Sequence, residues 1–465
     1  MYSELLELCG FEPEEIERER PRIDRAFEIW QIKTEDISRA EERIKRFFDL
    51  ELTGMRKFRG IWLKEFVDLT LAKEEGKKIV YSSFPPVAQV TGSMALMSEE
   101  VYCSVPEPMI MTVMGQYFGK LGPVLEKAEE FWLPPGQAHC PFLQARLAGV
   151  LGGMVPMPDL LIPVGLTCDQ AGKTDEIIEY LHGIPVAHID GCSDEDGCRW
   201  PHANPRRVQY LIHELKNVAR VFQEVTGLEF TEETMTQGMA EYGKLKAIFD
   251  KISELRGRAD PLPMSEKDWE NVCSAIVTCA GRTAREGVAA ASILLEELQE
   301  RTDHGVGVLE KGAPRVVNLF PHASDPAVTE VIERAGLASV ANFISASARS
   351  LPDEYESTWE QLADRHMRGG QRCSGQLTIT ELEELCREWD IDGVIIAALS
   401  KCRIYNIFPR KAKEVLEREM DIPVLALEQD SVDSREYSAE RFRTRVEPFA
   451  EILKDRKKRA LQGGK

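Results

Sequence analysis

The sequence predicts an α/β protein with two similar parallel-sheet domains, an N-terminal helical segment and an inserted helical segment. Three observations support this fold class. Short aliphatic runs alternate with helical stretches, which is the pattern of strands buried on both faces of a parallel sheet. Two long charged blocks instead have a helical period of about 3.6 residues. The two strand-bearing blocks also repeat one order of strand, cysteine and helix.

These patterns divide the chain into five predicted parts. Residues 1–75 form a charged helical segment, and residues 76–202 form a first α/β domain. Residues 203–310 are helical, 311–445 form a second α/β domain, and 446–465 form a C-terminal helix and tail. The aliphatic runs that predict strands are KKIVYSS (77–83), DLLIPVG (159–165), IPVAHID (184–190), APRVVNLF (313–320), DGVIIAALS (392–400) and IPVLALEQD (422–430).

The two predicted α/β domains repeat one sequence unit. In the first, DLLIPVGLTC runs through a strand to Cys168, and in the second, DGVIIAALSKC runs through a strand to Cys402. A helix follows each cysteine, and the next strand begins with IPV and ends at an aspartate. Cys140 lies 28 residues before the first cysteine, and Cys373 lies 29 residues before the second. We expect the carboxyl ends of both sheets to face one cleft, where open α/β sheets bind ligands.

Composition limits the partners and the compartment. The 465-residue chain has a formal net charge of −20, which argues against nucleic acid or an anionic membrane as a partner. No apolar run is long enough to span a bilayer, and the N-terminus lacks a leader's basic and apolar regions, so we expect a cytoplasmic protein. The eleven cysteines include no C-x-x-C pair, so a cysteine site must be assembled from distant segments.

The stretch GLTCDQAGKT (165–174) permits two interpretations. Its final GKT resembles the end of a phosphate-binding loop, but such a loop needs a glycine where this chain has Thr167. The spacing therefore favours an ordinary helix that begins near Gly172, with Asp175 in its first turn. Cys168 is the stronger feature, because a position between a strand and a helix N-terminus stabilises the thiolate that binds iron.

Four cysteines from four segments form the candidate metal site. Each one alone is more typical of a buried structural thiol, but their matched positions favour a shared cofactor. Structural zinc sites usually take closely spaced ligand pairs, so four separate loops favour a [4Fe–4S] cluster. The candidate ligands are Cys140, Cys168, Cys402 and Cys373.

The other cysteines have structural interpretations. Cys273, Cys279 and Cys386 lie in helical stretches and are expected in the core. Cys9 lies in a segment that we expect to be mobile. The C-x5-C segment within GCSDEDGCRW (191–200) is either a metal site or, as its acidic composition favours, a surface loop.

Two histidines are candidates for a role at the cleft. His139 is adjacent to Cys140 and either donates a hydrogen bond to a cluster sulfur or is an ordinary polar loop residue. His322 follows a predicted strand and lies at the predicted cleft mouth. It is a candidate for substrate contact or proton transfer.

These residues carry a resemblance to a known family. The segments AHCPFLQARLAGVLGG, PMPDLLIPVGLTCDQAGKTDEI, RCSGQ and DGVIIAALSKCRIYNIFPRKAKEVLE…IPVLALEQD are similar to those of the 2-hydroxyacyl-CoA dehydratase and benzoyl-CoA reductase family of iron–sulfur proteins, in particular its D-component-like subunits. The resemblance covers roughly residues 76–450. It implies flavodoxin- or Rossmann-like domains that hold a [4Fe–4S] cluster in their cleft. Cys140, Cys168 and Cys402 match the family's cluster ligands best, and Cys373 ranks fourth.

The resemblance also implies a reaction and partners. Members work as pairs of related subunits, so we expect a homo- or heterodimer. A separate ATP-hydrolysing iron–sulfur activator supplies a low-potential electron, which agrees with the incomplete phosphate-binding loop here. The electron passes to an acyl-CoA thioester and gives a ketyl-type radical, which permits removal of water or reduction of a ring.

One departure from the family bears on the alternatives. Several members have a cysteine near the end of the first strand, where this chain has Ser82 and Ser83. Ser82 joins His322 as a candidate catalytic residue, and Cys103, about twenty residues further on, is a reserve ligand. The missing thiol weakens an alternative function as a double-cubane reductase of small molecules. A non-catalytic electron-transfer subunit is the other alternative.

Overall fold

Two parallel sheets organise the chain in a computed structural model. The structure describes residues 2–83, 88–131, 139–165, 168–190, 204–278, 282–319, 324–342, 354–368, 375–399, 401–402, 406, 409–430, 432–435 and 438–463. Both sheets are entirely parallel and are accompanied by long helical segments, so the predicted fold class is confirmed. The five domain boundaries stay a prediction.

Four helices fill the N-terminal segment, as its periodicity predicts. They are α1 (Ser3–Leu8), α2 (Pro13–Ile29), α3 (Thr34–Phe47) and α4 (Thr53–Leu71). Buried side chains of α3 recur every three or four positions from Ile37 to Phe47, so they lie on one face. The expectation that Cys9 is mobile was wrong, because this residue is completely buried. Its carbonyl group packs so closely on α4 that a Cβ at Gly60 would overlap it.

The first sheet has the strand order β2-β1-β3. Its parallel strands are β1 (Lys78–Ser82), β2 (Val101–Ser104) and β3 (Leu160–Ile162). The predicted strand at 184–190 forms only two isolated parallel bridges, Val186 to Leu161 and Ile189 to Val164, which place it beyond β3. The helices of this region are α5 (Ala88–Ala95), α6 (Pro106–Ile110), which continues as a π-helix (Met111–Tyr117), α7 (Leu121–Glu129), α8 (Pro141–Leu151) and α9 (Asp169–His182).

The described part of the inserted segment forms α10 (Pro205–Thr226), α11 (Glu232–Arg258), α12 (Glu266–Thr278) and α13 (Arg282–Asp303). Of these, α12 and α13 pack on α4 of the N-terminal segment. The Glu297 carboxylate of α13 accepts the backbone N–H groups of Thr53 and Gly54, at 2.8 and 2.9 Å, and so caps α4. A Cβ at Gly54 would lie 2.6 Å from the backbone nitrogen of Leu294, so only glycine permits this crossing. Two segments that are separate in sequence therefore share one hydrophobic core.

The second sheet has the strand order β5-β4-β6-β7. Its parallel strands are β4 (Arg315–Leu319), β5 (Ala338–Asn342), β6 (Gly393–Leu399) and β7 (Val424–Gln429). In the described residues of this half, the helices are α14 (Pro326–Arg334), α15 (Thr358–Arg368), α16 (Gly375–Glu388), α17 (Pro409–Glu419) and α18 (Ala439–Gly463). None of the helices in the described ranges combines the length and apolarity that crossing a membrane requires.

The sequence analysis predicted neither β2 nor β5. Their sequences, VYCS and ASVAN, are short and mix polar or small residues with apolar ones. Neither therefore resembles the aliphatic runs that identify the central strands. Among the described strands, each lies at an edge of its sheet and pairs with one neighbour, which relaxes the demand for a continuous apolar sequence.

One aspartate in each half fixes the third strand to the first. The Asp159 carboxylate accepts the backbone N–H of Ile79, and the Asp392 carboxylate accepts that of Arg315, both at 2.8 Å. In return, the N–H of each aspartate donates to the carbonyl group of the same partner. The halves thus share both a strand order and its polar contacts, which supports the repeat predicted from sequence.

Alanine at Gly54 should destabilise the protein, whereas alanine at Gly243 should stabilise it. In Gly54→Ala the new methyl group would push α4 away from α13, which costs about 1–3 kcal/mol. Gly243 is exposed within α11, and an added Cβ would meet nothing within 4 Å. Gly243→Ala should therefore increase the free energy of unfolding by about 0.5–1 kcal/mol. Equilibrium urea unfolding measures both changes, and a neutral Gly54→Ala would contradict the close helix crossing.

Candidate functional site

Three candidate ligands lie where strands end or helices begin. Cys140 is the N-cap of α8, and Cys168 is the N-cap of α9 after the end of β3. Cys402 follows β6, and its backbone N–H donates to the Leu399 carbonyl group at 2.9 Å. β3 and β6 hold equivalent places in their sheets. Cys168 and Cys402 therefore lie after the carboxyl ends of equivalent strands.

Two of the candidate ligands affect the pKa of the third, Cys140. Burial raises the pKa of Cys140 well above its ordinary value, and the nearby Cys168 and Cys402 raise it further through like-charge repulsion. The Asp430 carboxylate acts in the same direction, while the backbone N–H of Phe142 opposes the shift. The structure therefore brings two cysteines of the first half close to one cysteine of the second.

A single metal ion and an iron–sulfur cluster make different demands on the positions of their ligands. Among the residues that the structure describes, no group of three or more Cys, His, Asp or Glu side chains could hold a metal ion. A single zinc ion needs ligands that converge on one point, whereas each cysteine of a [4Fe–4S] cluster can bind a different iron. The assignment of Cys140, Cys168 and Cys402 to a cluster stays a prediction.

His139 lies beside Cys140 but bonds to α9. Its Nε2 is 2.9 Å from Thr174 Oγ1, and that hydroxyl donates its hydrogen to the Gln170 carbonyl group. A hydroxyl has one hydrogen, so His139 is the donor through Nε2. Burial, with a smaller effect of the Lys173 charge, lowers the pKa of His139 to about 4, so the ring is neutral at pH 7. Nε2 therefore fixes the loop and does not donate to a cysteine.

The GKT tripeptide lies inside α9 rather than at its start. The helix begins at Asp169, so the expected start near Gly172 with Asp175 in the first turn was wrong. The Lys173 side chain is exposed and pairs with Asp169 at 3.2 Å. A phosphate-binding loop wraps phosphates with unpaired backbone N–H groups, but helical N–H groups bond along the helix. The phosphate-loop interpretation is therefore wrong.

A buried ion triad joins the two helices that begin after Cys140 and Cys168. Arg146 Nη2 on α8 lies 2.9 Å from Asp175 Oδ1 on α9, and Nη1 lies 3.4 Å from Glu107 Oε1 on α6. All three side chains are fully buried. Burial raises the pKa of Asp175 to about 7, with Arg146 opposing the shift and Glu107 adding to it. The sequence analysis missed this triad, although a lone arginine in the apolar helix PFLQARLAGVL was its signal.

Ser82 and Cys103 are parts of the first sheet. Ser82 is fully buried in β1, and the hydroxyl of Ser83 accepts the backbone N–H of Val164 at 3.0 Å. Cys103 pairs with Val80 between β2 and β1, and burial alone raises the pKa of its thiol. This apolar setting is typical of a structural cysteine. The catalytic role of Ser82 and the reserve role of Cys103 stay predictions.

Several proposed site residues lie outside the described residues. They are Cys373, His322, Cys192, Cys198 and Cys279. The fourth ligand and the cleft histidine therefore stay predictions. Cys273 and Cys386 are described, and both are buried as predicted.

Comparison with known proteins gives one family match and several relatives. A family model described as "2-hydroxyglutaryl-CoA dehydratase, D-component" matches residues 103–453. A relative from Acidaminococcus fermentans, "(R)-2-hydroxyglutaryl-CoA dehydratase, subunit alpha", is 23% identical over 313 residues, which is 64% of this chain and 61% of the relative. The "(R)-phenyllactyl-CoA dehydratase alpha subunit" of Clostridium sporogenes is 22% identical over 64% of this chain and 72% of the relative.

A third relative extends the range of named substrates. The "(R)-2-hydroxyisocaproyl-CoA dehydratase alpha subunit" of Clostridioides difficile is 20% identical over 65% of this chain and 73% of the relative. All three are named as alpha subunits of dehydratases of 2-hydroxyacyl-CoA compounds. This chain spans 61% of the length of the Acidaminococcus relative, which is less than two thirds.

Asp175→Asn should remove part of the pH dependence of stability. The folded-state pKa of Asp175 is about 7, against about 4 for an unfolded chain, so the folded protein binds this proton more tightly. The contribution of Asp175 to stability is therefore lost as pH rises from about 4 to about 7. As pH rises through that window, the free energy of unfolding of Asp175→Asn should increase relative to that of the wild-type protein by on the order of 1–3 kcal/mol.

Urea unfolding at several pH values between 4 and 8 measures this difference. Glu176→Gln is the matched control, because Glu176 is an exposed carboxylate on the same helix. The control should follow the wild-type pH profile. A constant offset between Asp175→Asn and the wild-type protein across the range would contradict the prediction.

Proposed function

Because this chain belongs to the 2-hydroxyglutaryl-CoA dehydratase D-component family, we propose that it is the iron–sulfur subunit of a 2-hydroxyacyl-CoA dehydratase. The observation that carries the proposal is that the segments of Cys140, Cys168 and Cys402 meet across both halves of the chain, because Gln170, two residues after Cys168, hydrogen-bonds the backbone of Cys140 and of Lys401. In this proposal the three thiolates hold a [4Fe–4S] cluster, and Cys373 is the candidate for a fourth position.

The elements around the three cysteines suit an anionic cofactor. Cys140 and Cys168 cap the N-termini of α8 and α9, where backbone N–H groups and the helix dipoles favour negative charge. Metal binding would replace the proton of each thiol. The bound iron would compensate the negative charge of the Cys140 thiolate, which burial otherwise disfavours. When bound, the cluster would supply a low-potential electron to a CoA thioester.

The proposed reaction is dehydration rather than ring reduction. The three relatives described above are all named as dehydratases, and each acts on a CoA thioester with an (R)-2-hydroxyacyl group according to its name. We therefore propose an acyl-CoA substrate of this chemical class. A benzoyl-CoA-type reductase is a second member of the resemblance, and no contact among the described residues favours it.

Two protein partners complete the proposal. The relatives are named as alpha subunits, which supports a related subunit as a dimer partner. The second partner is a separate ATP-hydrolysing iron–sulfur activator. The helical GKT of this chain supports that division of labour, because the segment that most resembled a nucleotide site here is part of α9.

Cys402→Ala should lose most of its iron, whereas Cys386→Ala should retain it. Cys402 would supply a thiolate to the cluster from the second half, while Cys386 is a core residue of α16 whose pKa burial raises to about 12. Both variants remove one thiol from the same half of the chain. Anaerobic reconstitution, followed by iron and sulfide analysis and electron paramagnetic resonance, measures the outcome. A wild-type chain that binds no iron, or equal iron in both variants, would overturn the proposal.

A further inference from the structure

One glutamine side chain on α9, the helix that follows Cys168, contacts the segments that carry the other two candidate ligands, Cys140 and Cys402. Gln170 lies in the first turn of α9, two residues after Cys168. Its Oε1 accepts the backbone N–H of Cys140 at 2.9 Å. Its Nε2 donates to the carbonyl group of Lys401, the residue before Cys402, at 3.4 Å.

We infer that Gln170 is a positioning residue that sets the spacing of Cys140, Cys168 and Cys402. This inference rests on the proposed cluster function, since spacing matters because the three cysteines share one cofactor. These two contacts of the Gln170 amide are made to backbone rather than to a side chain. The amide therefore fixes the path of the main chain at each cysteine and leaves the thiols themselves to bind metal.

The chemistry of the two contacts requires an amide. The Cys140 N–H needs an acceptor and the Lys401 carbonyl group needs a donor, so neither a carboxylate nor an apolar side chain satisfies both. Pro141, the first residue of α8, has no backbone N–H. At this point of the main chain, the Cys140 N–H is therefore the donor next to the helix start. Without this acceptor, the Cys140 N–H would be a part-buried donor that has lost its Gln170 partner.

Gln170 is buried, and its backbone is also bonded, through Thr174, to the loop before α8. Only 6% of the residue is exposed. Its own carbonyl group accepts the Thr174 hydroxyl at 2.9 Å, and that hydroxyl accepts Nε2–H of His139. The loop before α8 is therefore attached to α9 at two successive residues, His139 and Cys140. The contact to Lys401 then extends this attachment to the second half of the chain.

Two substitutions separate the two contacts. Gln170→Glu keeps an acceptor for the Cys140 N–H but faces the Lys401 carbonyl group with a carboxylate oxygen, which repels it. Gln170→Leu keeps a similar volume and removes both contacts. Gln116→Leu is the control, because Gln116 is equally buried and its amide oxygen accepts from Asn271, in a contact that involves no cysteine loop.

Thiol crosslinking of the metal-free, full-length chain tests the inference without the cofactor. The protein is treated with dibromobimane, a short reagent that joins two thiols, and the linked peptides are quantified by mass spectrometry. Gln170→Glu should lower the Cys140–Cys402 product about two- to tenfold, as expected for one hydrogen bond, and leave the Cys140–Cys168 product unchanged. Gln170→Leu should lower both products, and Gln116→Leu should lower neither.

A second measurement follows iron loss to a chelator from the reconstituted protein, where Gln170→Leu should release iron faster than both the wild-type protein and Gln116→Leu. If the wild-type chain takes up no iron, the proposed function is wrong. The crosslinking yields then still test whether Gln170 sets the spacing of the cysteines. Wild-type crosslinking yields in both Gln170 variants would overturn the inference. It would also be overturned if the wild-type chain gave no Cys140–Cys402 product.

Discussion

Strands of a parallel sheet all end at the same edge, and the proposed cluster site depends on this constraint. β3 and β6 hold the same place in two sheets of the same order, so the segments after them carry Cys168 and Cys402 to equivalent edges. Asp159 and Asp392 fix the start of each of these strands to the first strand of its sheet. With the start and the direction set, the place where each cysteine emerges is set as well. A site without any local cysteine motif can therefore be assembled by repetition of one strand order.

Buried charge beneath the site adds a second constraint. Glu107, Arg146 and Asp175 place two carboxylates against one guanidinium with no exposed surface. Separating Arg146 from its partners would leave a buried charge uncompensated. Burial is the main cause of the raised pKa of Asp175, and the Glu107 carboxylate adds to it while Arg146 opposes it. Because Arg146 and Asp175 belong to the helices capped by Cys140 and Cys168, the same interaction that restrains the core also restrains two candidate ligands. Stability and the geometry of the site are thus linked.

The helices outside the sheets form a common support. α4 and α13 approach so closely that Gly54 has no space for a side chain, and Glu297 caps α4 from the neighbouring helix. The N-terminal helices are therefore anchored by an insertion more than two hundred residues later in the chain. Their core also includes residues of the first sheet such as Ile79 and Tyr81. This continuity explains why Cys9, near the N-terminus, is buried.

The sequence by itself determined the fold class, the central strands and the matched placement of Cys168 and Cys402, because buried parallel strands require aliphatic runs and each cysteine directly follows one. It also excluded a phosphate-binding loop through the spacing at Thr167. The tertiary structure alone decided what depends on contacts between distant residues. These include the edge strands, whose mixed sequences carry no periodic signal, the start of α9 at Asp169, and the approach of Cys140 to Cys402. The roles of Arg146 and Gln170 belong to the same group, because a polar side chain gains its meaning only from the partners that the fold places within reach.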